Sequence, residues 1–322
     1  MILLVLFIGF NIMNNTIVTY KVKQLLIKTI DRIDGAYAET TIRAYRSNFS
    51  KFIDYCDSIN ACALPALPET IAAYIETLSQ EQYQSATIRQ SIASIATIHS
   101  LNNYENPTTL PEVRLALKRM HRKIGRFSHQ ANGINRELLD EMIAATDNST
   151  RGLRDKAILM IAYDTMCRRG ELTQLMIEDI DIQIIDRKNC IQSTVIFIGQ
   201  SKTDQEANGR WLRVSKEASE ALYRWLNHSG IHEGAIFRGV DRADRITTGL
   251  TPGQICRIYK RLARGAGFGE EFIKHVSGHS MRVGAAQDLL LSGASLPIIM
   301  ARGRWSKSDT VMRYVEKIGV PV

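Results

Sequence analysis

Four short clusters, all beyond residue 165, carry side chains able to act on an anion. Arg168 and Glu171, within Met166-Cys167-Arg168-Arg169-Gly170-Glu171-Leu172, stand three positions apart. On a helical turn they share a face, where a carboxylate can hold a guanidinium in a fixed direction. Lys202 lies in the polar run Ser201-Lys202-Thr203. His279 and Arg282, within Ser277-Gly278-His279-Ser280-Met281-Arg282-Val283-Gly284, are again three apart, a spacing that can put an imidazole and a guanidinium around one anion. The flanking Gly278 and Gly284 permit close backbone approach. Trp305 follows in Gly303-Arg304-Trp305-Ser306, and Tyr314 lies nine residues further on, beside Val315. Read singly, each pattern also fits an ordinary role: a helix-surface ion pair, a solvated turn lysine, a chance H-x-x-R, a packed tyrosine.

Their order along the chain is more specific. Arg168, Lys202, His279 with Arg282, Trp305 and Tyr314 occur in the sequence and spacing of the tyrosine recombinase (phage integrase) family. The chain resembles this family over most of 36–317, and its Cre-like members most closely. The run Ser277 to Asp288, the segment Pro297 to Met300 and the Trp305-to-Tyr314 interval carry that resemblance. It implies that Tyr314 is a nucleophile toward a DNA phosphate. Arg168 and Arg282 would clamp that phosphate, His279 and Trp305 would hydrogen-bond its oxygens, and Lys202 would protonate the leaving 5′ oxygen. Glu171 would be the structural carboxylate beside the first arginine.

The chemistry suits these residue types. A phosphodiester is already negative, and further charge builds up in the pentacoordinate transition state, which forked guanidinium donors match better than point-like ammonium groups. A phenol with a pKa of about 10 must lose its proton on attack, so cationic neighbours and a histidine acceptor help. A 3′-phosphotyrosine would retain the energy of the broken link for rejoining, so no cofactor is expected. No metal is expected either; P-loop, EF-hand, H-E-x-x-H and C-x-x-C patterns do not occur in the chain.

Positioning these groups takes a mixed domain. Helices are predicted at 136–146, 152–165, 216–227, 251–265, 280–292 and 307–317. The β-branched run Cys190–Gly199 predicts a strand, paired with Trp211-Leu212-Arg213-Val214 as a hairpin whose polar tip holds Lys202. Residues 135–322 thus read as a mixed α+β, mainly helical catalytic domain with a small antiparallel sheet. Residues 128–134 read as a linker.

Residues 36–127 read as an all-α helical bundle. Ile42, Tyr45, Phe49, Phe52, Ile53 and Cys56 recur at three and four, one face of a helix over 41–57. A second helix follows Pro68, a third carries Ile88, Ile92, Ile95 and Ile98, and a fourth starts near Pro111. This last helix enters a run with Arg114, Lys118, Arg119, Arg122, Lys123 and Arg126 and no acid among them. Solvated faces usually mix both signs, so the run reads as a phosphate-binding stripe. Arg43, Arg46 and Arg89 are candidates for reading bases.

Bulk properties agree. The chain has 322 residues, enough for two domains, and its net charge of +8 is compatible with a polyanionic partner. The expected partner is double-stranded DNA carrying specific sites, bound by a homo-oligomer, a tetramer on two sites by family resemblance. Five cysteines without C-x-x-C spacing argue against a disulfide framework and for the cytoplasm, with association to the nucleoid of a bacterium, phage or mobile element. The apolar run Met1–Met13 is too short to span a membrane and is read as an upstream start, with Met13 as the true one. Residues 1–35 are otherwise expected to be an extension. Only eight residues follow Tyr314, whereas Cre-like members continue into a helix that docks on the neighbouring protomer, so protomer coupling is expected to be made differently or to be weaker. A DNA-binding protein of this fold that no longer cuts, or a topoisomerase-like nicking-resealing enzyme, would share most of these features.

Overall fold

A computed structural model describes residues 18–126, 130–186, 191–199 and 209–315. The chain divides into two units, Met1–Ser128 and His129–Val322.

The first unit is helical throughout its described residues. Helix α1 covers 18–32 and is followed by α2 (Glu39–Ser58), α3 (Pro68–Gln80), α4 (Ser85–Leu101) and α5 (Pro111–Ile124). The apolar stripes predicted from spacing are the buried ones: Ile42, Phe49, Phe52, Ile53 and Cys56 on α2 meet Ile71 and Ile75 of α3, Ile88 and Ile95 of α4 and Val113 of α5. Pro68 and Pro111 occupy first turns, where a missing N–H costs no hydrogen bond. Helix α1 departs from the expected extension. Its Val22, Leu26 and Ile30, at intervals of four, are buried in the same core together with Ile33. Each fully buried aliphatic side chain contributes about 1.5–3 kcal/mol, so α1 is an integral part of this bundle. The apolar run and Met13 lie outside the described residues.

The second unit is mixed, mostly helical. It contains α6 (Arg136–Ala144), α7 (Thr150–Thr165), α8 (Arg169–Gln174), β1 (Ile180–Asp186), β2 (Ile191–Ile198), β3 (Arg210–Arg213) and α9 (Lys216–Ser229). These are followed by β4 (Arg238–Val240), β5 (Ile246–Gly249), α10 (Pro252–Gly265), α11 (Glu270–Lys274), α12 (Ser280–Leu291), α13 (Leu296–Gly303) and α14 (Ser308–Val315). The two predicted strands pair antiparallel, with Val195 opposite Arg213 and Ile198 opposite Arg210, and the predicted tip at 200–208 lies outside the described residues. The pair is joined by β1 into a three-stranded antiparallel sheet, and β4 and β5 make a second, two-stranded one. The core around α7, α9 and α10 holds Trp225, whose indole N–H donates to the Ile236 carbonyl at 2.9 Å.

The end of the expected linker is docked onto this unit. The N–H of Asn132 donates to the His275 carbonyl at 3.1 Å and that of Ile134 to the Ser280 carbonyl at 3.0 Å. Ile134 is fully buried. Only glycine fits beneath it at 284, because a Cβ there would stand 1.8 Å from the Ile134 carbonyl oxygen. This packing seats the start of α12, where His279 and Arg282 reside.

Candidate active site

The site is assembled from the ends of helices. Helix α7 stops at Met166, whose left-handed backbone (φ 50°, ψ 34°) turns the chain sharply. Arg168 is then the extended N-cap of α8. Glu171, on the first turn, reaches back: one carboxylate oxygen accepts the Arg168 backbone N–H at 3.0 Å, the other accepts Arg168 Nη1 at 2.6 Å. The R-x-x-E spacing thus produces the oriented guanidinium expected of it. This pair is not a surface one, since Glu171 is 8% exposed. Burial pushes the Glu171 carboxyl up, but Arg304 and then the backbone and side chain of Arg168 outweigh it and hold the group below the usual carboxylate range.

Arg282, on the first turn of α12, is 2% exposed. Its Nη1 donates to the Met166 carbonyl at 2.6 Å and its Nη2 to the Gly303 carbonyl. Its guanidinium lies over the Trp305 ring, 4.4 Å from the centroid, a cation–π contact. Desolvation, with Arg168 and Arg304 nearby, lowers its pKa to about 10, opposed by the charges of Glu171 and Tyr314. It therefore remains charged at neutral pH, a cation packed within reach of two others.

His279 occupies the N-cap of α12 and is exposed as a residue. Its ring is nevertheless desolvated enough to lower its pKa, an effect opposed by hydrogen bonding to the Gly278 backbone and reinforced by Arg282, Arg168 and Arg169. Below its ordinary value the imidazole is neutral near pH 7 and able to accept a proton.

Trp305, 9% exposed, and Tyr314, half-buried on α14, form a small apolar cluster with Met166, Ala285, Ala286, Ile299 and Val311. The two rings are 5.5 Å apart at 47°. The Gln287 amide donates to the Tyr314 carbonyl at 3.1 Å, tying α14 to α12. The predicted residues Arg168, Glu171, His279, Arg282, Trp305 and Tyr314 therefore share one neighbourhood, while Lys202 lies outside the described residues. Arg304 also belongs here and was not singled out from the sequence; its partner Glu171 is 133 positions away, so no local spacing announces it.

The residues considered for DNA contact are in the first unit, and Arg43, Arg46, Arg89, Arg114, Lys118, Arg119, Arg122 and Lys123 are all exposed. Arg43 pairs with Glu39 at 2.6 Å and Arg119 with Glu76 at 3.4 Å. Near the end of α5, desolvation and the charges of Arg126 and Arg89 lower the pKa of His121, so a cation of α4 and one just past α5 both lie near it. Among the described residues no helix is long and apolar enough to cross a membrane.

Residues 134–318 match the model of the phage integrase family, and residues 32–103 match that of the phage integrase N-terminal SAM-like domain. The first match alone spans more than half of the sequence, and the chain belongs to the phage integrase family of tyrosine recombinases. An integrase/recombinase xerD homolog of Selenomonas ruminantium is 29% identical, covering 92% of this chain and 86% of the relative. The recombinase cre of Escherichia phage P1 is 27% identical, covering 88% and 85%. In fold, the chain is similar to the Tn1549 transposon integrase in complex with circular intermediate DNA, with a TM-score of 0.62 at 15% identity, covering 91% of this chain and 94% of that one.

Proposed function

We propose that this recombinase cuts and rejoins DNA at specific sites through a 3′-phosphotyrosine on Tyr314. The observation that carries the reading is the gathering of Arg168, His279, Arg282, Trp305 and Tyr314 around one another from three separate stretches of chain. In the proposed step the Tyr314 oxygen attacks the scissile phosphorus and its proton passes to neutral His279. The bond from phosphorus to the 5′ oxygen breaks, and Lys202 supplies that oxygen's proton. Arg168 and Arg282 donate to the non-bridging oxygens, where charge accumulates. A 5′ hydroxyl then attacks the phosphotyrosine, reversing the chemistry and joining a new strand.

The duplex would be gripped mainly through its phosphates by the exposed cations of α5, with Arg43, Arg46 and Arg89 offered to base edges. Exchange between two duplexes needs several protomers, a tetramer on paired sites. Exposed Leu291, Leu296, Ile298 and Met312 on α12, α13 and α14 give such contacts an apolar surface. Sedimentation on paired sites tests this, and a species no larger than a dimer contradicts it. The activity would be exercised at the nucleoid of a bacterium or on the DNA of a phage or mobile element.

The direct test uses nicked duplexes of randomised sequence that lose the cleaved fragment by diffusion. Wild-type protein should be recovered as covalent adducts, and Tyr314→Phe should give none. A wild-type protein that never forms an adduct, or a Phe variant that forms as much, contradicts the reading.

A further inference from the structure

Arg304 is held in a costly way. As the C-cap of α13 its backbone is left-handed, φ 54° and ψ 49°, a conformation that side chains bearing a Cβ disfavour. Its side chain is 9% exposed. Nη1 donates to the carbonyl of Thr165, the last residue of α7, at 3.0 Å, and Nη2 donates to Glu171 Oε2 at 2.6 Å. Its Nε is buried and meets no hydrogen-bond partner among the described residues. A glycine would cap this helix without strain and leave no donor buried. Backbone strain and an orphaned donor persist where the surroundings impose them, which is the pattern of a residue with a task.

The task is suggested by Glu171. Its two oxygens serve two guanidiniums, Arg168 at 2.6 Å and Arg304 at 2.6 Å. A carboxylate with Arg168 as its one partner would orient that arginine and also neutralise it, competing with any incoming phosphate. With Arg304 present, the three groups sum to one positive charge, so Glu171 can aim Arg168 without cancelling the positive charge of the cluster. We infer that Arg304 is a positioning residue: acting through Glu171, it fixes the direction and charge of Arg168 and ties both to the helix pair α13 and α14 that carries Tyr314. The inference rests on the reading of Arg168 and Tyr314 given above.

The test is a double-mutant cycle of Arg304→Gly and Glu171→Gln, using a nicked duplex recovered by adduct capture on wild-type protein. The glycine variant relieves the left-handed backbone, which favours a folded product. It should bind the duplex with wild-type affinity and cleave about 10²-fold more slowly in a single turnover. The acid limb of its rate–pH profile should move to higher pH, because Glu171 loses a partner that favours its charged form. In the Glu171→Gln background the same change should cost no further rate. A wild-type rate for Arg304→Gly, or a full loss that persists without Glu171, overturns the inference. Should Arg304→Gly lose its fold, the cycle is run with Arg304→Asn, a neutral residue that tolerates the left-handed backbone, with the same two outcomes. Failure of the underlying reading is distinct, because wild-type protein would then yield no adduct from which to recover a duplex.

Discussion

The surface arginines of the helical unit and the buried arginines of the candidate site are used in opposite ways. On the helical unit, Arg46, Arg89, Arg114 and Arg122 are exposed, and Arg43 and Arg119 have only exposed carboxylate partners. Such pairs contribute about 0–1 kcal/mol and are screened by salt. In the second unit Arg282 is 2% exposed and Arg304 is 9% exposed at its side chain, each fixed by carbonyls or a carboxylate. The first set suits reversible grip on a polyanion, where each ion pair with a phosphate adds a little. The second suits a site whose donors are already in place when charge develops, so no reorganisation is needed during the reaction. Burial of a cation is expensive, and here the Met166 and Gly303 carbonyls, the Trp305 ring and the Glu171 carboxylate offset it.

The contrast is broken first by removing a buried cation. Arg282→Gln should reduce single-turnover cleavage by about 10²–10³-fold while DNA affinity changes little. It should also lower stability by about 1–3 kcal/mol in a urea titration, because the Met166 and Gly303 carbonyls lose their donor. A loss confined to affinity would put Arg282 among the gripping residues. The surface set should behave the other way. Replacing Arg114, Lys118 and Arg122 together by alanine should leave the saturated cleavage rate intact and weaken binding. The slope of log affinity against log salt should become shallower by about 0.9 for each phosphate that is no longer neutralised. An unchanged slope would remove α5 from the interface.

Smaller effects follow from pH. Glu171 is held below its ordinary range in the folded chain, so its contribution is complete above the unfolded carboxylate range and is lost as pH falls through the depressed value. Glu171→Gln should therefore flatten the acid arm of stability against pH; an unaltered arm would mean that this carboxylate is not held charged. The lowered pKa of His279 should keep cleavage level somewhat below pH 6.5, the ordinary imidazole value, before protonation removes the acceptor. A rate already falling above that pH would contradict the neutral imidazole.

What was legible in the sequence was what is local. The stripes of α2 to α5 follow from spacing at three and four, and the strand at 191–198 from β-branched composition. The residue pairs Arg168 with Glu171 and His279 with Arg282 sit on first turns, where a spacing of three translates directly into geometry. What stayed hidden depends on distant partners. Helix α1 shows its role only when Val22, Leu26 and Ile30 meet the bundle core. Strand β1 and the β4–β5 pair are short or partly polar, and they gain definition from neighbouring strands. Asn132 and Ile134 look like linker because their segment is polar and carries a glycine, yet backbone donors fasten them to His275 at the end of α11 and Ser280 at the start of α12. Arg304 resembles any basic residue near a helix end until Glu171 is brought to it.

The central claim is that one phenol, in a setting of three guanidiniums and a neutral imidazole, becomes bonded to DNA. The measurement closest to it is mass spectrometry of the adduct trapped on a nicked duplex, digested with trypsin and nuclease. The fragment Tyr314–Lys317 should carry the residual nucleotide through the Tyr314 oxygen. A nucleotide found on any other residue would contradict the account.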